Sequence, residues 1–322
     1  MAAHKNISWK GIAEVLKNTF KGISEDKVVK LSGSLAYSTV FAMGPLLVVI
    51  ISVCGLVLGN ESAQGKVYDV LKGFIGQDTA VQLQEIIHNA AVSGKSTLAI
   101  VIGGIALLIG ATSVFAEIQD SINDIWGLKP KPKKGWLKFL KDRFLSFSVI
   151  ISLGFLLLVS LAITGIIEAL SNRLQAHFPN VTVASFYIVN LILTLGISIS
   201  IFAVIFKVLP DATIRWKDVM SGALITAFLF MIGKFGISFY VSQTKVGSTY
   251  GAAGSLVVLL VWVYYSSIIL YLGAEFTKAW AVKYGAAIHP SPFAVTIEKI
   301  EVEKGKETVQ KKEKKGSKKS GD

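Results

Sequence analysis

The sequence predicts an all-α membrane protein: a polytopic bundle of six transmembrane helices, with an N-terminal interfacial helix and an outer amphipathic helical hairpin. Three observations carry that reading. From Ala252 to Ala274 no side chain is charged; as a helix at 1.5 Å per residue this run reaches about 34 Å, enough to cross a hydrocarbon core of about 30 Å. Charged residues make up only 17% of the 322, and apolar residues 52%, against about 25% charged in an average soluble protein. The charges are also segregated, which leaves further long windows almost without them.

The elements follow in order. Residues 1–30 form a cytoplasmic segment in which Ile7, Trp9, Ile12, Ala13, Leu16, Phe20 and Ile23 fall near helical spacing, with Lys10, Lys17 and Lys21 outside the stripe. Such a basic amphipathic helix either lies in the headgroup layer or docks on the ends of other spans. The membrane domain covers 31–285. Span one, about 31–58, holds Tyr37 and the pair Gly44-Pro45; proline removes a backbone donor and predicts a kink or break there. Freed carbonyls at membrane depth need protein or a wet cavity around them, so 37–45 is the candidate cavity-lining segment. A simple packing kink is the alternative.

Residues 59–96 are too polar to span and read as an outer helical hairpin, with Asp78 able to cap its second helix. Span two, about 97–118, continues as helix to Trp126 and carries Glu117, Asp120 and Asp124 on one face. A short basic loop leads to span three, about 144–170, with Glu168 at its far end. Span four is about 183–206, span five about 218–241 with Lys234 inside it, and span six the charge-free run 252–274. The chain from 286 to 322 is rich in Lys and Glu and reads as a disordered basic cytoplasmic tail.

Orientation follows from the basic residues. With six spans, 27 of the 33 Lys and Arg fall on one side and five on the other, Lys234 being the remaining one. That asymmetry places both termini in the cytoplasm. Trp126, Trp136, Trp216 and Trp280 fall on the same inner edge and form the expected aromatic belt. The net charge of +12 is then topogenic; its expected partners are membrane lipids with anionic headgroups, and no nucleic acid is required. The first apolar run is span-length and should anchor the chain rather than be cleaved. The single Cys54 permits no intramolecular disulfide.

With these segments placed, the chain resembles the YihY/BrkB family of six-span bacterial inner-membrane proteins. The matching pieces are LAYSTVFAMGPLL of span one, ATSVFAEIQDSINDIWG at the end of span two, LPDATIRWKDVMSGA entering span five, and YGAAGSLVVLLVWVYYSSIILYLGAE of span six. The resemblance covers roughly 8–285. It implies a helical-bundle protein of the inner membrane, of the kind described as virulence factors or proposed transporters. Some members have carried a ribonuclease BN label.

The residues argue against that last label. The four histidines, His4, His88, His177 and His289, stand apart, and no H-x-x-x-H, C-x-x-C or D-x-D pattern occurs, so the ligand spacing of a metal nuclease is missing. No cofactor is implied, and no catalytic residue is assigned. Ionisable residues at membrane depth are the functional candidates, because placing them there is costly. Glu117 and Glu275 both reach the inner edge and can be neighbours. Lys234 lies roughly 10 Å from the outer end of span five, in contact range of Glu168 or snorkelling outward. Tyr250 opens the most specific family stretch. The set is therefore Tyr37, Gly44, Pro45, Glu117, Asp120, Glu168, Lys234, Tyr250 and Glu275. It fits a transporter or flippase for an amphipathic, anionic, envelope-related substrate; the alternatives are a non-transporting scaffold that binds envelope partners and an intramembrane enzyme.

Overall fold

The computed structural model describes residues 8–42, 97–130, 179–243 and 254–297 (Ala287 and Phe293 aside), together with single helical positions at 65, 68, 144, 145, 148, 149, 151, 152 and 156. Gly44, Pro45, Glu168, Tyr250, the hairpin 59–96 and most of span three lie outside the described residues, as does the tail from 298. The described elements are α1 (Trp9–Glu25), α2 (28–42), α3 (Thr97–Ile125), β1 (Leu128–Pro130), α4 (Pro179–Val208), β2 (Ala212–Thr213), α5 (Trp216–Gln243), α6 (Gly254–Lys283), β3 (His289–Pro290) and β4 (Ala294–Thr296). Three of the helices carry windows long and apolar enough to cross a membrane: Leu191–Val208, Trp216–Lys234 and Leu259–Lys283.

The tightest packing lies between α5 and α6. A β-carbon on Gly222 would fall on the hydroxyl of Thr277, and one on Gly273 would fall on the hydroxyl of Thr226. The two contacts are reciprocal and run antiparallel, each helix offering a glycine to the threonine of the other. In lipid the tails are as apolar as the side chains, so close backbone approach at small residues takes over from hydrophobic burial as the source of association. Each threonine hydroxyl bonds back to the glycine carbonyl one turn earlier, Thr226 to Gly222 and Thr277 to Gly273, both at 2.7 Å. Both threonine hydroxyls are thereby satisfied within their own helices. Further along, Gly233 admits the ring of Tyr265 and the end of Ile269. An aromatic relay then joins three helices: Phe202 of α4 meets Phe230 of α5 edge-on at 5.7 Å, and Phe230 meets Trp262 of α6 edge-on at 6.0 Å.

Helix α3 lays Val114, Ile118, Ile122 and Ile125 into the core at helical spacing. It ends at Gly127, whose φ of +67° suits the left-handed position after a helix and whose carbonyl then accepts from the Ile297 amide at 2.7 Å. Trp126 does not join an interfacial belt as expected. It is buried and donates its indole N–H to the Ala274 carbonyl at 3.1 Å, tying α3 to α6. Trp216 keeps the expected exposed position, with Lys207 over its ring.

The start of the expected disordered tail is instead ordered, and it adds strands to an otherwise helical chain. Beyond α6 the backbone returns across the helix ends. β3 pairs antiparallel with β2 (Ala212 opposite Pro290), and β4 pairs antiparallel with β1 (Leu128 opposite Thr296). The reason is local polar satisfaction. Asp211 is buried, donates its backbone N–H to Asn123 Oδ1 (2.8 Å), accepts on Oδ2 from Asn123 Nδ2 (3.1 Å), and accepts on its carbonyl from the Ser291 backbone N–H (2.8 Å). Composition sees a Lys and Glu tail from 286, but the backbone groups of 289–297 have partners waiting on Gly127 and β1, just after α3, and on the α4–α5 connection. The clasp gathers the ends of α3, α4, α5 and α6 on one face of the bundle, called here the clasp face.

Candidate functional site at the clasp face

Helix α1 completes this face. Its N-cap Ser8 accepts from the Gly11 amide at 3.2 Å. Three stripes then run along it. Gly11, Val15, Thr19 and Gly22 are buried against α6: a β-carbon on Gly11 would strike the Tyr284 hydroxyl, and one on Gly22 would strike the Glu275 carboxylate. A second stripe, Trp9, Leu16 and Phe20, stays exposed. The third is polar and borders a cleft. Of the two readings of this segment, docking is the one the packing shows: α1 seats its small residues on α6 and leaves an apolar stripe exposed.

The cleft has a volume of about 440 Å³ and lies between α1 and the last turns of α6. Lys278 links its walls, with Nζ 2.8 Å from Asp26 Oδ2 and 3.7 Å from Glu275 Oε2. Asp26 is held there because it caps α1, its amide bonding to the Gly22 carbonyl at 2.9 Å. Lys27 follows in a left-handed conformation at φ 54° and starts α2 in a new direction. Higher on the walls Lys283 pairs with Glu14, and Lys21 with Glu25 at 3.0 Å. The Lys21–Glu25 pair is open to water on both sides and adds little to stability. The floor is different. Glu275 is 2% exposed, and its Oε1 has no hydrogen-bond donor among the described residues. Among the described residues no three His, Cys, Asp or Glu side chains converge as a metal site would require.

The structure separates the sequence candidates. Glu275 lies at the cleft floor, and the carboxylate that shares Lys278 with it comes from Asp26 of the α1 end. Glu117 and Asp120 stand on α3 within electrostatic range of Tyr271, whose buried hydroxyl faces Ser121. Glu117 is half-buried, and Asp120 and Asp124 are exposed on the same side of α3. Tyr37 is exposed on α2 with its ring tilted against Phe41 at 4.8 Å. Lys234 is half-buried on α5 and engaged with a neighbour. Sequence reasoning missed Asp26 and Gly22. The signal was present in the stripe Gly11, Val15, Gly22 beside the apolar one, but a search confined to charges within spans passes over a helix cap.

Comparison with known proteins agrees with the membrane reading. The family model described as Virulence factor BrkB matches residues 19–295, which carries it through β3 and into β4. A UPF0761 membrane protein of Vibrio campbellii is 30% identical over 268 residues, covering 80% of this chain and 79% of the relative. Another, from Pseudoalteromonas atlantica, is 26% identical over 277 residues, covering 84% and 87%. No solved structure matches the chain. With a match that spans helices, clasp and cleft alike, this chain belongs to the BrkB family of integral membrane proteins.

Proposed function

We propose that this protein spans the bacterial inner membrane six times with both termini cytoplasmic, and that it is a transporter or flippase for an amphipathic, anionic, envelope-related molecule and not an enzyme. The clasp face is then the cytoplasmic face. The observation that carries the reading is the cleft: a water-open, charged recess at the end of an apolar bundle. Lys21, Lys278 and Lys283 line it together with their partners Glu25, Glu275 and Glu14, and Val282 on its rim is 75% exposed. An anionic headgroup would meet the lysines while an acyl or prenyl chain stays along the apolar helix faces. Lys234, half-buried in the outer part of α5, would be a second contact for the same charge on its way across.

Orientation is testable by labelling single engineered cysteines in a Cys54→Ser background. Gln77→Cys should react only from outside the membrane and Ser317→Cys only from inside. The reverse pattern at either site defeats the topology.

Transport is testable in vesicles that carry the purified protein and a fluorescent anionic phospholipid, with a membrane-impermeant quencher added outside. Quenching beyond the outer-leaflet half is expected, and Lys234→Met should abolish it while leaving the protein folded. A rate equal to that of protein-free vesicles would sink the flippase and favour the scaffold.

A further inference from the structure

Helix α6 has 30 residues and a length of about 45 Å, well beyond a hydrocarbon core of about 30 Å. Its last turns, from Glu275 to Lys283, carry α1 and line the open cleft. The charged groups facing that cleft nearly balance in pairs. From α1 come Glu14, Lys21 and Glu25; from α6 come Lys278 and Lys283, besides Glu275 itself. Lys283 is taken by Glu14 and Lys21 by Glu25. What remains is the set at the floor: two carboxylates, Asp26 and Glu275, with one ammonium, Lys278, between them.

The geometry of that set is specific. The Asp26 side chain is 10% exposed and that of Glu275 3%. Both carboxylates face the same ammonium, with Lys278 Nζ 2.8 Å from Asp26 Oδ2 and 3.7 Å from Glu275 Oε2, yet Glu275 Oε1 receives no donor from the described residues. Two ionised carboxylates cannot bond to one another, because neither has a hydrogen to give. A carboxyl and a carboxylate can, and like charges this close do not both persist when buried. A metal ion is a poorer fit, because only two carboxylates are offered and an ammonium already occupies the space between them.

We infer that Asp26 and Glu275 hold one exchangeable proton between them, a proton-binding site at the floor of the cleft. The proton comes from cleft water onto one carboxyl oxygen, leaves the site neutral with Lys278, and is returned to water on release. Release leaves two negative charges against one positive charge beneath Gly22, where α1 touches α6 most closely. Proton loss therefore loosens α1, and proton binding seats it.

The site rests on this geometry and not on the transport reading. A silent flippase assay leaves it standing, and its own failure leaves the flippase assay untouched. The test is infrared difference spectroscopy of the full-length protein in lipid nanodiscs during a pH titration, following the C=O stretch of protonated carboxyl groups. One such band should persist at neutral pH and disappear on alkalinisation. It should be lost in Glu275→Gln and equally in Asp26→Asn, since each leaves a single carboxylate paired with Lys278; the second variant serves if the first does not insert. Hydrogen exchange of the α1 amides should rise as the band disappears. No neutral-pH band in the wild type, or a band that survives in either variant, overturns the proposal. So does a band that disappears only when sodium or potassium is added at constant pH, which would make the site a metal-cation site.

Discussion

Gly222→Leu is expected to leave almost no folded protein in the membrane fraction. The position has no room: the first added carbon falls on the Thr277 hydroxyl and close to its β-carbon. A leucine must push α5 off α6, which also withdraws Thr226 from Gly273 one turn along. Overpacking a tight contact costs about 1–3 kcal/mol, and here two coupled contacts open together. The loss should exceed about 3 kcal/mol, a large part of the roughly 5–15 kcal/mol that holds a typical domain. Gly222→Ala should be milder and rescuable. Adding Thr277→Gly removes the colliding hydroxyl and β-carbon and leaves the Thr277 α-carbon at 3.4 Å, an ordinary contact. Gly236→Ala is the control, since a β-carbon there meets nothing within 4 Å. It should be neutral or slightly stabilising, because alanine favours a helix over glycine by about 0.5–1 kcal/mol. Detergent unfolding midpoints of the four variants check this. Equal loss in Gly222→Ala and Gly236→Ala would show that the seam does not hold the pair.

The second large effect belongs to the C-terminal segment. Ending the chain after Ile297 should leave stability within about 0.5 kcal/mol of the full-length protein, because the residues beyond it are mostly charged and polar with no sustained apolar face to bury. Ending it after Ala287 removes β3 and β4. It deletes the partner of the Asp211 carbonyl at Ser291, the Ile297 bond to Gly127 and the buried Ala294. Backbone bonds are worth about 1 kcal/mol each net, so the strands together should cost about 3 kcal/mol. The damage should show first at the helix ends, as protease sensitivity near 211–215 and 127–130. Indistinguishable unfolding of the two truncations would mean that the clasp closes over the bundle without supporting it.

The sequence by itself located the three described helices that are long and apolar enough to cross a membrane. Helices α4, α5 and α6 fall where the charge-free runs are, and α3 ends within a residue of Trp126, because hydrocarbon admits only long apolar helices and glycine stops them. It also located Glu275, since a carboxylate closing an apolar run is conspicuous in one dimension. What surrounds Glu275 was decided only in three dimensions. Asp26 lies about 250 positions away along the chain and is brought to it by a glycine stripe whose meaning appears only when α1 meets α6. The same holds for the Gly222–Thr277 and Thr226–Gly273 exchanges, which are unremarkable residues until an antiparallel register sets them opposite each other. The strands at 289–297 were hidden for a related reason: hydrogen bonding to distant backbone leaves no trace in local composition, so a segment that reads as solvated chain becomes ordered when partners on β1 and the α4–α5 connection are held in place.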